Sequence, residues 1–280
     1  MARPHRIEIP GGIYHIMSRG NAKAPVFTDD SDYIKFIDIL AKSVAIHQWL
    51  CHAYCLMSNH YHLLIETPEA NLSSGMHLLN GMYTQAFNKK HSRTGHVFEG
   101  RFKSIIVEKE SYLLELARYI LRNPVRAGVV ESPEMYQWSS YNALAGRIPT
   151  PGFLHTDGII SFFGSLRHDA LNACIDFVNN PSDPPSAIRE HKQLILGSDA
   201  FVEKMKPYSE MIEPKQALPH RQFSERPDLK ELFRDSKFTK SERNDLIAEA
   251  YLKFGYRQAE IARATGMNCS SISRIIDRRS

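Results

Sequence analysis

The spacing of apolar and polar residues predicts four strands and two helices in the first part of the chain. Short apolar runs bounded by Gly, Pro or Asn indicate strands, and apolar residues that recur every three to four positions indicate helices. The strands cover about residues 12–20, 50–57, 60–66 and 97–107, the last being one strand or two short ones about Gly100, and helices begin near residues 29 and 72. This order predicts an α+β fold, a ferredoxin-like antiparallel sheet with helices on one face.

A further helix is predicted from Ser111 to Asn123, where Pro124 ends it. At about 100° per residue, Tyr112, Tyr119 and Asn123 fall on one flank of its apolar stripe. Asn123 lies one turn, about 6 Å, beyond Tyr119 but about 16 Å from Tyr112. The two tyrosines are either packing residues with solvated hydroxyls or members of a site, and only Tyr119 can share a site with Asn123.

The second half of the chain predicts a separate all-α domain. A Pro-, Asn- and Ser-rich segment at residues 179–186 indicates a linker. Farther along, Ala262, Gly266, Ile272 and Ile275 have the spacing of a helix-turn-helix at about residues 256–278, with a generic helical hairpin as the alternative. We therefore expect a catalytic domain at 1–145, a helical extension and linker at 146–180, and a helical region at 181–280.

The amino-acid composition indicates a soluble globular protein but does not indicate a particular function. Among 280 residues, 42% are hydrophobic and 24% charged, which is typical of a soluble globular protein. We expect neither a membrane span nor a secretion signal, and the four cysteines form no disulfide pattern, so the expected location is cytoplasmic. The net charge of +4 is compatible with nucleic acid and does not require it.

His60 and His62 are the first candidates for chemistry. Alternate residues of a strand share one face, which puts the two imidazoles roughly 6–7 Å apart, close enough for one metal ion. The alternative is that both are ordinary hydrogen-bonded or surface histidines. Cys51 and Cys55 lie roughly 13 Å apart along the preceding strand, too far to join one ion, and are expected in the core.

Several short motifs follow one another over about residues 4–145. They are Gly12-Ile13-Tyr14-His15, Ser18-Arg19-Gly20-Asn21, Met57-Ser58-Asn59-His60-Tyr61-His62, Gly100-Arg101-Phe102-Lys103-Ser104, Tyr119, Asn123-Pro124-Val125-Arg126-Ala127-Gly128 and Trp138-Ser139-Ser140-Tyr141. In their order and spacing, these motifs resemble the single-tyrosine His-hydrophobic-His transposases, and in particular the REP-associated tyrosine transposases.

The resemblance implies metal-dependent DNA transposition through a covalent 5′-phosphotyrosine. Tyr119 is then the nucleophile, while His60, His62 and Asn123 hold Mg²⁺ or Mn²⁺. It also implies a single-stranded or hairpin-flanked DNA substrate, and the carboxy-terminal module resembles the extension of some relatives. The oligomeric state, monomer or homodimer, stays open.

Basic residues near these motifs are the candidate DNA contacts. Phosphate contacts are expected from Arg19, Lys23, Arg101, Lys103 and Arg126, with a solvated charged rim as the alternative. In the carboxy-terminal module, the predicted duplex-reading set is Asn268, Ser270, Ser271, Ser273 and Arg274, with Arg278 and Arg279 on phosphates. Tyr14, His15 and Phe102 either stack on unpaired bases or pack in the core.

Two other functional classes fit the same residues. The first is a catalytically silent DNA-binding regulator that has kept the fold. The second is a metal nuclease that uses water, in which Tyr119 would be dispensable. The three classes differ in whether DNA becomes covalently attached to the protein.

Overall fold

The computed structural model describes residues 6–180, 195–210, 227–234, 238–254, 256 and 258–277. Contacts divide the chain into two compact units. One spans His5–Ile212, and the other contains Glu213–Ser280. The predicted linker at 179–186 continues into residues outside the described ranges, and the division by contacts falls later in the chain than the predicted boundary near 180.

A five-stranded sheet forms the centre of the first unit. Its strands are β1 (Gly12–Arg19), β2 (Leu50–Met57), β3 (His60–Thr67), β4 (Lys103–Val107) and β5 (Ile195–Leu196). Their order across the sheet is β2-β3-β1-β4-β5. The first four strands pair antiparallel, as a ferredoxin-like sheet requires, and this predicted core is confirmed. β5 was not predicted, and it pairs parallel with β4.

Two long helices, α1 (Asp30–His47) and α2 (Leu72–Lys90), cover one face of the sheet. Asp29 caps α1, because its side chain accepts hydrogen bonds from the backbone N–H groups of Ser31 and Asp32, as the acidic run predicted. The apolar sides of both helices enter one core with alternate residues of β1, β2 and β3. Apolar burial against the sheet therefore holds both helices where their periodicity placed them.

The opposite face of the sheet packs against α3 (Lys109–Leu121), which begins two residues before the predicted start. A short helix, α4 (Asn123–Arg126), follows at once with Pro124 in its first turn. Proline is favoured there because its missing N–H has no partner in a first turn. Pro124 thus ends α3 and starts the turn that carries Asn123.

The predicted strand at 97–107 is wrong in its first half. Only Lys103–Val107 forms a strand, while the preceding residues touch the sheet through a single bridge between Phe98 and Gly20. Gly100 has a φ of 65°, a left-handed conformation that interrupts a ladder. The segment before β4 is therefore a loop, and it leaves the sheet toward α2.

Short helices complete the first unit. They are α5 (Tyr141–Leu144), α6 (Asp157–Ile160), α7 (Arg167–Asn179) and α8 (Asp199–Glu210), with 3-10 turns at Asn21–Lys23, Pro133–Met135 and Ser161–Phe163. Arg122 connects α3 to the end of α7, since its guanidinium donates to the carbonyl oxygen of Asn179 at 2.6 Å. The extension predicted after residue 146 is helical as expected and packs on the α3 side of the sheet.

The second unit contains α9 (Leu229–Leu232), α10 (Lys240–Leu252), α11 (Gln258–Thr265) and α12 (Cys269–Asp277). Helices α11 and α12 lie where the helix-turn-helix pattern predicted two helices. Gly266, with a φ of 67°, makes the turn between them, and Asn268 caps α12 by accepting the backbone N–H of Ser271 at 2.8 Å. The apolar core of this unit comprises Ile247, Ala250, Tyr256, Ile261, Ala262, Ile272 and Ile276.

Two expectations from composition can be compared with the described residues. All four cysteines are free; Cys51, Cys55 and Cys174 are buried, whereas Cys269 is exposed. Burial raises the pKa of Cys51 to about 12, which agrees with a core role. None of the helices within the described ranges is long and apolar enough to cross a membrane.

Glu66 joins three elements on the α3 side of the sheet. Its carboxylate accepts hydrogen bonds from His52 Nε2 at 3.0 Å and Lys109 Nζ at 3.1 Å, and these contacts, chiefly that from His52, lower its pKa to about 2. Since the folded pKa lies below the usual value, the ionised carboxylate stabilises the fold at neutral pH, and this stabilisation is lost as pH falls through the folded pKa.

We expect Glu66→Gln to lower the free energy of unfolding by roughly 1–3 kcal/mol at neutral pH. The difference from wild type should shrink as pH falls below about 4.5 toward 2, because the wild-type carboxylate then gains its proton too. Urea denaturation at neutral and mildly acidic pH measures it, with the exposed Glu69→Gln as control. A difference that does not change with pH would contradict this account.

Candidate active site

His60 and His62 lie on the same face of β3, as their spacing predicted, and this is the face that α3 covers. Their ring centroids are 5.0 Å apart and the ring planes are nearly perpendicular, at 85°. His62 is buried with 3% of its surface exposed, whereas His60 is half-buried at the end of the strand. The pairing register places Arg19 beside His60 and Met17 beside His62.

Asn59 determines which nitrogen of His60 carries the proton. The amide Nδ2 of Asn59 donates to the carbonyl oxygen of Lys23 at 3.2 Å, and a carbonyl can only accept. The Oδ1 atom of Asn59 therefore faces His60 Nδ1, 2.7 Å away, and accepts its proton. His60 consequently presents the lone pair of Nε2, the form in which an imidazole binds a metal.

The contacts of His62 with residues on two other elements are compatible with the same tautomer. Asn123 Nδ2 lies 3.2 Å from His62 Nε2, and His15 Nε2 lies 2.9 Å from His62 Nδ1. If Asn123 donates to Nε2, then Nδ1 carries the proton and donates to His15. The rings of His15 and His62 are stacked, with centroids 5.1 Å apart. His15 on β1 thus orients the His62 ring through its contact with His62 Nδ1.

Tyr119 reaches this group of histidines from α3. Its ring meets His62 edge-on at a centroid distance of 6.0 Å, and it meets His15 in the same way at 6.1 Å. Only 9% of Tyr119 is exposed, so the ring is fixed by packing. Helix α3 and the turn after it therefore bring Tyr119 and Asn123 to the two histidines. The sequence spacing alone related Tyr119 to Asn123, and His60 to His62, but did not relate one pair to the other.

Basic side chains surround this site. The guanidinium carbon of Arg126 lies 4.6 Å from the centre of the Tyr119 ring, because α4 turns back over the end of α3. Lys103 and Arg19 are exposed on the histidine face of β4 and β1, and Arg19 forms an ion pair with Glu99 at 3.2 Å. Lys23 is exposed beside the β2–β3 turn. Four of the five predicted phosphate contacts thus lie around the histidines.

Arg101 is the exception among these five residues. It lines a groove beside α2, which packs on the other face of the sheet. In the second unit, Asn268 and Arg274 are exposed, Ser271 and Ser273 are partly exposed, and Ser270 lies in α12. Arg278 and Arg279 lie outside the described residues. The contact of these residues with DNA stays a prediction.

Sequence reasoning missed the roles of His15 and Asn59. His15 was considered only for base stacking or packing, and it is buried with 1% exposure, as is Tyr14, so neither can stack on a base at the surface. Phe102 is also buried, at 9%. The sequence offered one signal for Asn59, since it is a polar residue directly before His60. No local pattern relates His15 to His62.

The donor set at this site suits an open metal centre rather than a closed one. Within the described ranges, no three His, Cys, Asp or Glu side chains are grouped to hold a metal ion. His60, His62 and the Asn123 amide would therefore leave coordination positions for water or phosphate oxygens, as Mg²⁺ and Mn²⁺ sites do. A structural zinc site normally has four protein ligands, and this site does not supply them.

Comparison with known families identifies the segment that contains this site. Residues 9–123 match the family model of IS200-like transposases, and the match includes His60, His62, Tyr119 and Asn123. These residues form an IS200-like transposase domain. For this segment the family indicated by the sequence motifs is confirmed, and a transposase domain supports a DNA-cleaving enzyme that acts in DNA transposition.

Several solved structures are similar to the chain. A REP-associated tyrosine transposase bound to a REP hairpin has 19% identity and a TM-score of 0.47, covering 56% of this chain and 90% of that protein. A protein described as a transposase from Deinococcus radiodurans R1 has 17% identity and a TM-score of 0.31, with coverages of 43% and 94%. The tRNA(His) guanylyltransferase of Saccharomyces cerevisiae has 9% identity and a TM-score of 0.33, with coverages of 73% and 96%. No curated protein matches the chain by sequence.

Proposed function

We propose that the transposase domain cleaves and rejoins single-stranded or hairpin-flanked DNA through a covalent bond to Tyr119. The observation that carries this proposal is the meeting of four side chains from three separate elements: the Tyr119 ring, the lone-pair nitrogens of His60 and His62, and the Asn123 amide. A nucleophile held beside metal-binding nitrogens is what attack on a phosphodiester requires, because the anionic phosphate otherwise repels the nucleophile.

In the proposed reaction the Tyr119 hydroxyl attacks the phosphorus of the scissile phosphodiester. Tyr119 Oη loses its proton as it forms a bond to phosphorus, the bond from phosphorus to the 3′-oxygen breaks, and that oxygen takes up a proton. The products are a 5′-phosphotyrosine and a free 3′-hydroxyl. Because the new phosphodiester keeps the energy of the broken one, attack by a 3′-hydroxyl can reverse the step and restore the tyrosine without ATP. Arg126, already beside the Tyr119 ring, would hold the phosphate.

We propose Mg²⁺ or Mn²⁺ as the cofactor, held by His60 Nε2, His62 Nε2 and the Asn123 amide oxygen. Such an ion would neutralise phosphate charge and orient the phosphate for attack. The Asn123 amide is already adjacent to His62, with its nitrogen 3.2 Å from His62 Nε2. Rotation of the Asn123 amide exchanges its nitrogen for its oxygen at nearly the same place.

Covalent trapping tests this function directly. The full chain is incubated with labelled single-stranded oligonucleotides from the DNA that flanks its coding sequence, with Mn²⁺, and analysed on a denaturing gel. Label that migrates with the protein supports the proposal. Cleavage without such an adduct would favour the water-using nuclease, and binding without cleavage or adduct would favour the silent regulator.

His15 is expected to act as a positioning residue. Because ligand histidines lose affinity when the acceptor behind them is removed, His15→Phe should weaken Mn²⁺ binding by about 10- to 100-fold while keeping a ring stacked on His62. The measurement is the Mn²⁺ concentration that gives half-maximal cleavage, together with direct Mn²⁺ binding by EPR. Excess Mn²⁺ should restore most of the rate, and a rate that stays low at saturating Mn²⁺ would assign His15 a different role.

The carboxy-terminal unit is proposed to bind duplex DNA through α11 and α12, with Arg274 exposed on α12. A chain that ends near Tyr208 keeps the transposase domain and α3 complete, so we expect it to cleave single-stranded DNA still. It should lose most of its duplex affinity and much of the salt dependence of that binding. Fluorescence anisotropy with duplex DNA at two salt concentrations measures this, and a folded but inactive truncation would mean that the second unit completes the site.

A further inference from the structure

A groove of about 540 Å³ lies between one side of α2 and the segment Gly95–Phe102, and we call it the α2 groove. Its volume falls within the roughly 300–1,000 Å³ of pockets that hold small ligands. Helix α2 packs its apolar side into the core on the sheet face opposite Tyr119. The α2 groove is therefore distinct from the candidate active site.

The α2 groove carries positive charge. None of the described residues that line it is acidic, whereas Arg6 and Arg101 both line it, together with His77 and His96. Burial and the charge of Arg101 lower the pKa of Arg6 to about 10, although Glu8 opposes part of this effect. The Glu8 carboxylate accepts a backbone N–H in the first turn of α2. An anionic ligand in the groove would relieve the repulsion between the two guanidinium groups.

One wall of the α2 groove is flat and suited to stacking. The guanidinium carbon of Arg6 lies 3.6 Å from the centre of the Phe102 ring, and Arg6 Nη2 donates to the Phe102 carbonyl oxygen at 2.6 Å. Phe98 lines the same wall. Unpaired bases stack on both arginine planes and aromatic rings, whereas bases inside a duplex have no free face to offer.

Amide side chains on the opposite wall suit the polar edge of a base. Asn80 lines the groove, and its Oδ1 atom accepts the hydroxyl of the buried Tyr61 at 2.7 Å. The hydrogen bond fixes the orientation of this amide, so the remaining hydrogen-bonding group of the Asn80 side chain is its Nδ2 donor. Gln85 lines the groove one turn farther along α2. Donors of this kind read the exposed edge of an unpaired base.

Gly81 keeps the α2 groove open. It lies in the interior of α2, where glycine costs roughly 0.5–1 kcal/mol relative to alanine. A Cβ atom added at Gly81 would meet no atom within 4 Å, so packing inside the protein does not require glycine there. A side chain at this position would instead project into space beside the groove, which Gly81 lines.

The loop wall of the α2 groove continues directly to the active-site rim. Phe98, in this wall, bridges to Gly20, and the backbone N–H of Glu99 donates to the carbonyl oxygen of Arg19 at 2.8 Å. Arg19 stands beside His60 in the sheet, and Lys103 begins β4 directly after the loop. A strand leaving the groove would thus meet basic residues as it passes the end of the sheet.

We propose that the α2 groove binds an unpaired nucleotide of the DNA strand on which the transposase domain acts. The base stacks on the outer face of the Arg6 guanidinium, which covers the Phe102 ring, and meets the amide of Asn80, while Arg101 holds its phosphate. This proposal rests on the proposed function for the identity of the strand. It adds a second contact point, on the other side of the sheet from Tyr119, that selects unpaired DNA.

The test compares Gly81→Trp with Gly81→Ala in the full chain. Binding of a short fluorescein-labelled single-stranded oligonucleotide of mixed sequence is measured by anisotropy in EDTA, so that neither metal binding nor cleavage contributes. Tryptophan should fill the groove and raise the Kd by about tenfold or more, which is the effect expected from the loss of one stacked base. Alanine should leave the Kd unchanged. Equal Kd values for two variants with wild-type circular dichroism and melting would overturn the proposal.

Two further measurements keep the test decisive. Photo-cross-linking of wild-type protein to the same oligonucleotide containing 5-iododeoxyuridine should attach DNA within residues 73–102, and attachment only elsewhere would overturn the proposal even if Gly81→Trp fails to fold. A blunt duplex of two annealed oligonucleotides, which has no unpaired nucleotide, should bind both variants equally, and equal weakening of duplex and single strand would mean that the groove holds duplex instead. Because these assays involve no cleavage, a missing Tyr119 adduct would refute the proposed function and leave the groove result standing.

Discussion

Tyr119→Phe is expected to abolish the covalent protein–DNA adduct, lowering its rate of formation by at least about a thousandfold. The substitution removes only the hydroxyl, and the ring that packs edge-on against His15 and His62 remains. The variant should therefore fold as wild type and retain binding of Mn²⁺ and DNA. A denaturing gel of the protein with labelled oligonucleotide and Mn²⁺ measures the adduct.

Tyr112→Phe is the matched control, because it makes the same change on the same helix. Tyr112 lies at the other end of α3, nearly two turns before Tyr119, and packs at the edge of the core there. Activity should be retained in this variant. An adduct that persists in Tyr119→Phe and disappears in Tyr112→Phe would reverse the assignment, and cleavage without adduct in both variants would indicate a water-using nuclease.

His60→Ala is expected to lower Mn²⁺-dependent cleavage by at least about a hundredfold, since it removes one of the two proposed imidazole ligands. His60 is half-buried at the end of β3, so the change leaves little cavity. His62 is buried and stacked on His15, and for that position His62→Gln preserves more of the packing than alanine does. Cleavage at several Mn²⁺ concentrations measures the effect in both variants.

Duplex binding distinguishes loss of metal from loss of fold in these histidine variants. The carboxy-terminal unit has its own core and is proposed to read duplex DNA independently, so duplex affinity should stay near that of wild type. Thermal melting of the transposase domain gives a second control. Cleavage that remains at the wild-type level in His60→Ala would show that His60 is not a ligand.

Local sequence patterns predicted most of the sheet and both helices that cover it. The strand at Leu50–Met57, the cap of α1 and the apolar stripes of α1 and α2 depend on residues a few positions apart, so their signals are complete within each segment. For the same reason, the two-residue period of a strand correctly put His60 and His62 on one face. The loop before β4 was missed because Gly100 was compatible with both a break and a continuous strand.

Contacts between distant segments decided the rest of the site. His15 stands behind His62 because of the register between β1 and β3, and a shift of that register by one residue would turn His15 to the other face. Arg101 was grouped with the active-site cations by its nearness in sequence to Lys103, yet the turn at Gly100 directs it to the α2 groove.

The sequence by itself determined which residues each strand and helix presents on a common face, because backbone periodicity is a local property. It also contained the motifs that identify the transposase family. Only the tertiary structure decided which faces meet, since the packing of α3 on the sheet and the order β2-β3-β1-β4-β5 result from burial of apolar surface far apart in the chain. The group formed by Tyr119, Asn123, His15 and His62 exists through that packing.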